Sequence, residues 1–320
     1  PYPPTPTVIE RIRSACNSDL RLYPDPDAND LRGKLAELFS VVPQQVIAGN
    51  GSDELLNIII RSFAGEGEKI VYPNPTYGYY KPMIDIQGAE AVPIEFPADY
   101  SLPNELVVPD ARITFLANPN GPSGTLLPYA EVAALCARVD GILVVDEAYV
   151  DFSEGGCIRL IDEYRNAIVV RTMSKSFSLA GMRIGFAFAP VELIEGMWKV
   201  KDHYNINRLS LVAAEAALDD IDAMRANAVR VCRTRARLSD RLRELGFYIW
   251  DSHANFLLAR IGENMAAHDA ATLYANLKQR RILVRYFQTP PRLANCLRIS
   301  IGTEADTDAL LADLQDLLTA

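Results

Sequence analysis

IVVRTMSKSFSLAGMRIGFAFA, residues Ile168 to Ala189, is the stretch whose reading decides the fold. An apolar run, Ile168 to Val170, leads into it, and a second, Ile184 to Ala189, leads out. Each is short, rich in β-branched or aromatic residues, and bounded by polar residues or glycine, the pattern of a strand buried on both faces. Between them lie Arg171, Thr172, Ser174, Lys175, Ser176, Ser178 and Arg183. A lysine in a hydroxyl-rich turn between buried strands suits a Schiff-base role, because such an amine reacts only when neutral, and burial or a neighbouring cation keeps it so. The hydroxyls and Arg183 suit a phosphate. A surface lysine in a serine-rich loop has the same local sequence.

Upstream, Gly141 to Val145 reads as another buried strand and runs directly into Asp146, Glu147, Ala148 and Tyr149. Open α/β sheets bind ligands beyond the carboxyl ends of their strands, so Asp146 is either a ligand group or a helix cap. Together Asp146 and Lys175 meet the needs of pyridoxal phosphate: an anion to keep the ring nitrogen protonated, and an amine to carry the aldehyde. Further upstream, a strand from Gln45 to Ala48 passes through Gly49-Asn50-Gly51-Ser52-Asp53-Glu54 into a helix, Leu55 to Phe63. Glycines at such a turn let the backbone approach an anion, and the free N–H groups of the first helical turn bind phosphate. The third glycine of a dinucleotide fingerprint is missing, which argues against a nicotinamide site.

Composition narrows the field. The chain has 320 residues, 49% hydrophobic and 23% charged, enough for one or two packed domains. A net charge of −9 without a basic block argues against nucleic acid or an anionic membrane as partner. Five scattered cysteines and three histidines, none at a metal-ligand spacing, argue for a reducing compartment and against a disulfide frame or a metal site. With no apolar run approaching 18 residues and no leader-like start, the expectation is a soluble, cytoplasmic protein.

The remaining chain reads as a proline-rich arm, Pro1 to Pro6, then helices over Thr7 to Ser18 and from Asp30 onward. Strands follow at Lys69 to Tyr72 and Ile113 to Ala117, the second leading into a turn-rich loop, Asn118 to Gly124, and then a helix over Val191 to Val200. Ala223 to Leu245 is polar, Arg-rich and free of Gly and Pro, and predicts one long helix with Val229, Leu238, Leu242 and Leu245 as its apolar line. Beyond it come short elements: Tyr248 to Trp250, Phe256 to Arg260, a helix over Ala266 to Arg280, Ile282 to Arg285, Leu297 to Ile301, and a helix over Glu304 to Leu318. Arg285 and Arg298 lie at or within strands of this part, where inward-facing arginines need an anion, whether a ligand or a structural partner.

These windows include YPDPDANDLRGKLA from Tyr23, AGNGSDELL from Ala48, YPNPTYGYY from Tyr72, ANPNGPSGT from Ala117, VVDEAYVDF from Val144, SHANFLLAR from Ser252 and LRISIGT from Leu297. In order along nearly the whole chain, they resemble the fold-type I pyridoxal-phosphate-dependent transferases and, among these, the histidinol-phosphate aminotransferase family. The resemblance implies an α/β fold, with a large domain of mostly parallel sheet between helices over residues 28–245. A small α+β domain would combine residues 1–27, with the N-terminal arm, and 246–320. It also implies pyridoxal 5'-phosphate as cofactor, attached to Lys175, with Asp146 at the ring nitrogen, Tyr149 at the phenolic oxygen and Tyr77 over the ring. Ser52, Asp53, Thr172, Ser174 and Arg183 would hold the phosphate. Arg285, Arg298 and Tyr2 would face the substrates, and Tyr23 would reach the cofactor of a neighbouring subunit in a homodimer.

Two departures stand out. The family's N-P-N-N-P-T-G reads Asn118-Pro119-Asn120-Gly121-Pro122-Ser123-Gly124 here, so Gly121 replaces the asparagine that meets the phenolic oxygen. Either Asn120 takes that role by a small shift or Tyr149 holds the oxygen alone. The Asn-Glu-Asn of the family's substrate-covering arm is also absent before the proline-rich start. The activity implied is amino transfer between L-histidinol phosphate and 2-oxoglutarate. Threonine-phosphate decarboxylases and aromatic aminotransferases share these motifs, and the intact Lys175 argues against a purely regulatory cofactor-binding module.

Overall fold

The structure, a computed structural model, describes residues 1–262, 265 and 268–319. The first part of the chain runs α1 (Pro6–Ala15), α2 (Asn29–Phe39), β1 (Val46–Gly49), α3 (Ser52–Phe63), β2 (Lys69–Asn74), α4 (Tyr80–Gln87), β3 (Glu90–Glu95) and β4 (Ala111–Ala117). It continues through α5 (Tyr129–Cys136), β5 (Ile142–Asp146), α6 (Leu160–Glu163), β6 (Ala167–Thr172), β7 (Gly185–Phe188), α7 (Val191–Trp198), α8 (Arg208–Asp219) and α9 (Ile221–Glu244). The last part comprises β8 (Tyr248–Ile249), β9 (Phe256–Arg260), α10 (Ala270–Gln279), β10 (Arg285–Tyr286), β11 (Cys296–Ser300) and α11 (Glu304–Thr319).

Seven strands form one sheet in the order β1-β7-β6-β5-β4-β2-β3. β7 pairs antiparallel with both β1 and β6, and the remaining neighbours are parallel. The reversal of β7 follows from its connection, because the short turn-rich link from Thr172 to Gly185 contains no crossover helix to return the chain to the starting edge. The other six strands therefore end on one edge, and β7 begins there. Their side chains alternate between two apolar layers. Ala167 and Val169 join the layer built with α2, α5 and α8, while Ile168 and Val170 join the layer with α3, α4 and α7. Both sheet faces are thus covered, and the strands read as continuous hydrophobic runs for that reason.

A second, antiparallel sheet, β10-β11-β9-β8, packs on α9, α10 and α11. The buried stripe of α9 is Ala228, Val231, Leu238 and Leu242, at helical spacing, whereas Val229, expected in it, is 60% exposed. Val229 sits about 100° around the helix from Ala228, enough to turn it to solvent. The strand anticipated at Ile282 to Arg285 forms only at its end, as Arg285–Tyr286, and Leu283 is exposed. α10 starts at Ala270, capped by Asp269, whose carboxylate accepts from the N–H of Thr272 at 2.8 Å. Ala266 and Ala267, where the helix was expected to begin, lie outside the described residues. The N-terminal residues meet both layers: Val8 of α1 is buried in the core of the large sheet, with α1 against α8, while Tyr2 packs on the core of the smaller sheet. β3, α4, α5 and α8 were not anticipated from sequence. Among the described residues no helix is long and apolar enough to cross a membrane, and all five cysteines are free.

Candidate active site

A cavity of about 810 Å³ opens along the edge where the parallel strands end. Each strand delivers a polar group just past its last apolar residue. β5 places Asp146, β6 places Thr172 and then Ser174 and Lys175, and β1 leads through Gly51 to Ser52 at the start of α3. Asp146 is 5% exposed. Its Oδ2 accepts from the Tyr80 hydroxyl at 2.9 Å and its Oδ1 from the Ala148 N–H at 3.2 Å. Burial outweighs these two donors and raises the carboxyl to about 6. Lys175 is held below the usual lysine range, first by burial and then by the positive charge of Arg298, against the opposing pull of Asp146 and Asp53. Its Nζ stands 5.5 Å from the centre of the Tyr149 ring. A carboxyl raised and an amine lowered in one cavity are the pairing expected where acid–base work is done.

Opposite the carboxylate lies a cradle made by close backbone approach. β7 starts against the first turn of α3, and a Cβ on Gly185 would stand 2.4 Å from the Ser52 nitrogen and 2.5 Å from the Gly51 carbonyl carbon. Gly51 has φ +85° and carries the Arg183 guanidinium in contact, where a Cβ would lie 2.6 Å from Nη2. Only glycine satisfies either position. Thr172 Oγ1 donates to Ser174 Oγ at 3.0 Å, and Arg183 reaches Ser174 Oγ at 3.4 Å and Asp53 Oδ2 at 3.1 Å. The first-turn N–H groups of α3, two hydroxyls and one guanidinium converge on a point suited to a phosphate. Tyr77 borders the cavity, and its hydroxyl donates to Asp53 Oδ1 at 2.9 Å.

The far wall comes from the second sheet. Arg285 and Arg298 are direct partners across the β10–β11 pair, so both side chains leave the same face, and both line the cavity together with Phe287. Their guanidinium carbons lie 5.8 and 5.9 Å from the Phe287 ring centre. Arg298 has a buried Nε without a protein partner, while Arg285 is exposed rather than enclosed.

This geometry has counterparts in known proteins. The sequence matches the family model for aminotransferase class I and II over residues 1–314. The chain belongs to the class I and II aminotransferases. It is 40% identical over 319 residues to histidinol-phosphate aminotransferase 1 of Trichormus variabilis, covering 99% of this chain and 90% of that one. It is 42% identical over 320 residues to histidinol-phosphate aminotransferase of Microcystis aeruginosa, again covering 99% and 90%. The crystal structure of histidinol-phosphate aminotransferase from Sinorhizobium meliloti in complex with pyridoxal-5'-phosphate superposes with a TM-score of 0.91 at 28% identity, covering 99% of this chain and 88% of that one. L-threonine-O-3-phosphate decarboxylase of Porphyromonas gingivalis shares the fold, with a TM-score of 0.86 at 23% identity over 98% and 95% of the two chains. The aminotransferase fold thus accounts for the α/β frame and the smaller second layer.

Two sequence expectations, Asn120 and Tyr2, land elsewhere in this aminotransferase. Asn120, the stand-in considered for the asparagine missing at Gly121, is buried and fully committed to its own loop and to the loop after β2. Its Nδ2 donates to the Pro75 carbonyl at 3.2 Å and to Ser123 Oγ at 2.9 Å, and its Oδ1 accepts from Thr76 at 3.0 Å. Gly121 does line the cavity, and a Cβ there would stand 3.7 Å from the Tyr149 ring. Tyr2, expected at the substrate, lies outside this cavity, with the Arg230 guanidinium 3.7 Å from its ring centre. Tyr23, expected at the cofactor of a neighbouring subunit, is 78% exposed and stacked on Tyr204 at 4.4 Å.

Conversely, Tyr80 was not singled out from sequence. It is fully buried, stacks on Phe115 at 4.8 Å, and supplies one hydrogen bond to Asp146. Tyr77 precedes α4, yet its ring meets that of Tyr80 edge to face at 5.5 Å, a contact set by the turn and not by helical spacing. Behind the cavity, Arg171 donates to Glu147 at 2.8 Å and faces Asp151, which in turn accepts from Ser176. This buried network ties the loop after Asp146 to the loop carrying Lys175.

Proposed function

We propose that this aminotransferase uses pyridoxal 5'-phosphate to move an amino group between L-histidinol phosphate and 2-oxoglutarate, in histidine biosynthesis in the cytoplasm. The observation that carries the reading is one cavity with Asp146 and Lys175 on one side and the paired Arg285 and Arg298 on the other. The residues present fit the cofactor. The cradle around Gly51 and Gly185 suits its phosphate, the buried Asp146 suits a protonated ring nitrogen, and Tyr149 is left as the donor to its phenolic oxygen. When bound, the cofactor supplies an aldehyde for the donor amine and a ring that accepts electrons from the substrate carbon.

The chain's own groups then do the following. Lys175, its amine held below the usual lysine range by burial, would be the group that holds the cofactor's aldehyde and, as a free amine, would hold and move the proton at the substrate carbon. Asp146 keeps its charge opposite the ring nitrogen, with Tyr80 and the Ala148 N–H fixing its orientation. Tyr77, which borders the cavity, would cover the ring face, combining apolar area with cation–π attraction. Ser52, Asp53, Thr172, Ser174 and Arg183 hold the phosphate and so stop the ring from rotating. Arg285 and Arg298 take the phosphate of one substrate and the carboxylates of the other by forked, charge-assisted hydrogen bonds.

The active form in this reading is a homodimer. Tyr23, stacked on Tyr204, is exposed, as are Leu20 and Leu22 just before it, and a second copy would cover them and receive Tyr23 at its own cofactor phosphate. In this reading residues 28–245 are the cofactor domain, and residues 1–27, with the N-terminal arm, and 246–320 make up the small domain. The test is glutamate formation from 2-oxoglutarate and its amino donor, run beside carbon dioxide release from threonine phosphate. Transfer with histidinol phosphate, lowered by about 1.5 to 3 kcal/mol in kcat/KM by Arg285→Ala and little changed for an uncharged donor, supports the reading. Carbon dioxide release without transfer refutes it.

A further inference from the structure

The wall that carries Arg285, Phe287 and Leu293 is anchored by a residue outside the cavity. Arg292 turns away from it toward the β3–β4 connection of the large sheet. Its Nη1 donates to the Phe96 carbonyl and its Nη2 to the Pro97 carbonyl, each at 2.5 Å, and its guanidinium carbon lies 4.3 Å from the Tyr100 ring centre. The next carbonyl, Ala98, accepts from Trp250 Nε1 at 3.2 Å. Three consecutive carbonyls of one layer are therefore gripped by side chains of the other. The gripped strip is itself fixed, since the Phe96 N–H donates to the carbonyl of Asn74 at 2.9 Å, and Asn74 ends β2 at the cavity.

This clasp sits in a small apolar cluster distinct from the two main cores. Phe96, Tyr100, Trp250, Leu258, Leu293 and Cys296 form it, with Phe287 packed against them. Leu293 and Phe287 belong both to this cluster and to the cavity wall, and the Phe287 ring centre lies 5.8 and 5.9 Å from the two guanidinium carbons. A displacement of Arg292 is thus passed through one residue, Leu293, into the wall and through Phe287 to both guanidinium groups. Side chains packed at close contact transmit such shifts rather than absorb them.

We propose that Arg292 is a positioning residue for substrate anions: by holding segment 287–293 against residues 96–98 it sets the distance between Arg285 and Arg298 and the floor of the cavity. The inference rests on the reading of this cavity as the substrate site. Arg292 and Trp250 contact neither Asp146 nor Lys175, so the clasp acts on the anion-binding wall and reaches Lys175 only through the charge of Arg298.

The experiment uses the holoenzyme and the variants Arg292→Met, Arg292→Lys and Trp250→Phe, with KM and kcat measured for L-histidinol phosphate and for L-glutamate, both anionic. Visible cofactor absorbance, cofactor dissociation and melting temperature are followed in parallel. Arg292→Met should raise KM at least tenfold for any anionic donor turned over, with kcat within threefold and cofactor dissociation unchanged. Arg292→Lys, able to reach one carbonyl, should recover part of the loss, and Trp250→Phe, which removes one N–H and keeps an aromatic ring, should show a smaller rise. KM within twofold of wild type in Arg292→Met overturns the proposal, as does a KM rise that only tracks falling melting temperature and cofactor retention across the three variants. A wild type that uses glutamate but no phosphorylated amine overturns the substrate assignment above, and the clasp is then decided by the glutamate data.

Discussion

Replacing Asp146 with asparagine should make the cofactor-free protein more stable at neutral pH while stripping the enzyme of turnover. The carboxyl is raised from an ordinary 3.8 to about 6, with burial as the leading cause. A group whose folded value lies above its unfolded value is protonated more readily in the fold. Well below pH 4 both states hold the proton and the site has no penalty. As pH rises through 4 to 6 the unfolded chain ionises first, and above 6 the fold carries the full cost of a buried charge. A shift of about two units corresponds to a ceiling of roughly 3 kcal/mol, so Asp146→Asn should gain about 1 to 3 kcal/mol at pH 7 and only about 0.5 kcal/mol at pH 4. Asparagine keeps an acceptor for the Ala148 N–H and can offer its amide to the Tyr80 oxygen, so the local hydrogen bonds survive. Urea unfolding of both cofactor-free proteins at one protein concentration, from pH 4 to 8, measures the difference. A variant less stable than wild type at pH 7, or a difference independent of pH, refutes the argument that burial of an uncompensated charge governs this site. The holoenzyme should show the opposite benefit: with its ring-nitrogen anion gone, kcat should fall by orders of magnitude at any pH.

Lys175→Ala should fold and bind cofactor weakly, yet lose the visible absorbance of the attached group and all measurable transfer; wild-type rates in that variant would remove the lysine from the reaction. Gly185→Ala introduces a Cβ 2.4 Å from the Ser52 nitrogen, so it should weaken cofactor binding at least tenfold and lower stability by about 1 to 3 kcal/mol, the scale of an overpacked site. Unchanged cofactor dissociation would show that the approach of β7 to α3 does not shape the cradle. Gly121→Asn places its Cβ at an ordinary 3.7 Å from the Tyr149 ring, and should fold normally and tighten cofactor binding by about 1 kcal/mol, the net value of one added hydrogen bond. A large loss of activity would mean that the bare backbone at this position is required.

The large sheet and its polar edge were legible because the strands are buried on both faces. A run such as Ile142 to Val145 that ends in Asp146 leaves little ambiguity, since the change from apolar to charged marks both the strand and its mouth. Reversal of β7 was not legible, because direction depends on the absence of a crossover helix rather than on the strand's own residues. β3 escaped notice for a different reason: it is an edge strand, Glu90–Glu95, half exposed and interrupted by Pro93, and it lacks the apolar run that identified its neighbours. Tyr2 shows the limit of position-by-position inference, since a residue in an extended arm is placed by whatever it packs on, here Arg230 of α9. Asn120 shows another: its amide has three partners in its own loop and in the loop after β2, and no count of residues along the chain reveals that they are already taken. The facing of Arg285 and Arg298 was anticipated from adjacent strands, but the exposure of Arg285 was not, because it depends on how little of β10 is paired.

Along β5, Leu143, Val144 and Val145 are fully buried and Asp146 comes next; along β6, Ile168, Val169 and Val170 are fully buried before Arg171 and Thr172. Folding and chemistry therefore occupy successive segments of the same strands, divided by a single peptide unit. Selection can act on the two almost independently: a library varied beyond the boundary would sample new substrates on an unchanged scaffold, and one varied before it would sample melting temperatures on an unchanged catalyst. Such a partition by depth along a strand, rather than by domain or by loop, gives this architecture its capacity to acquire a new reaction without first losing its shape.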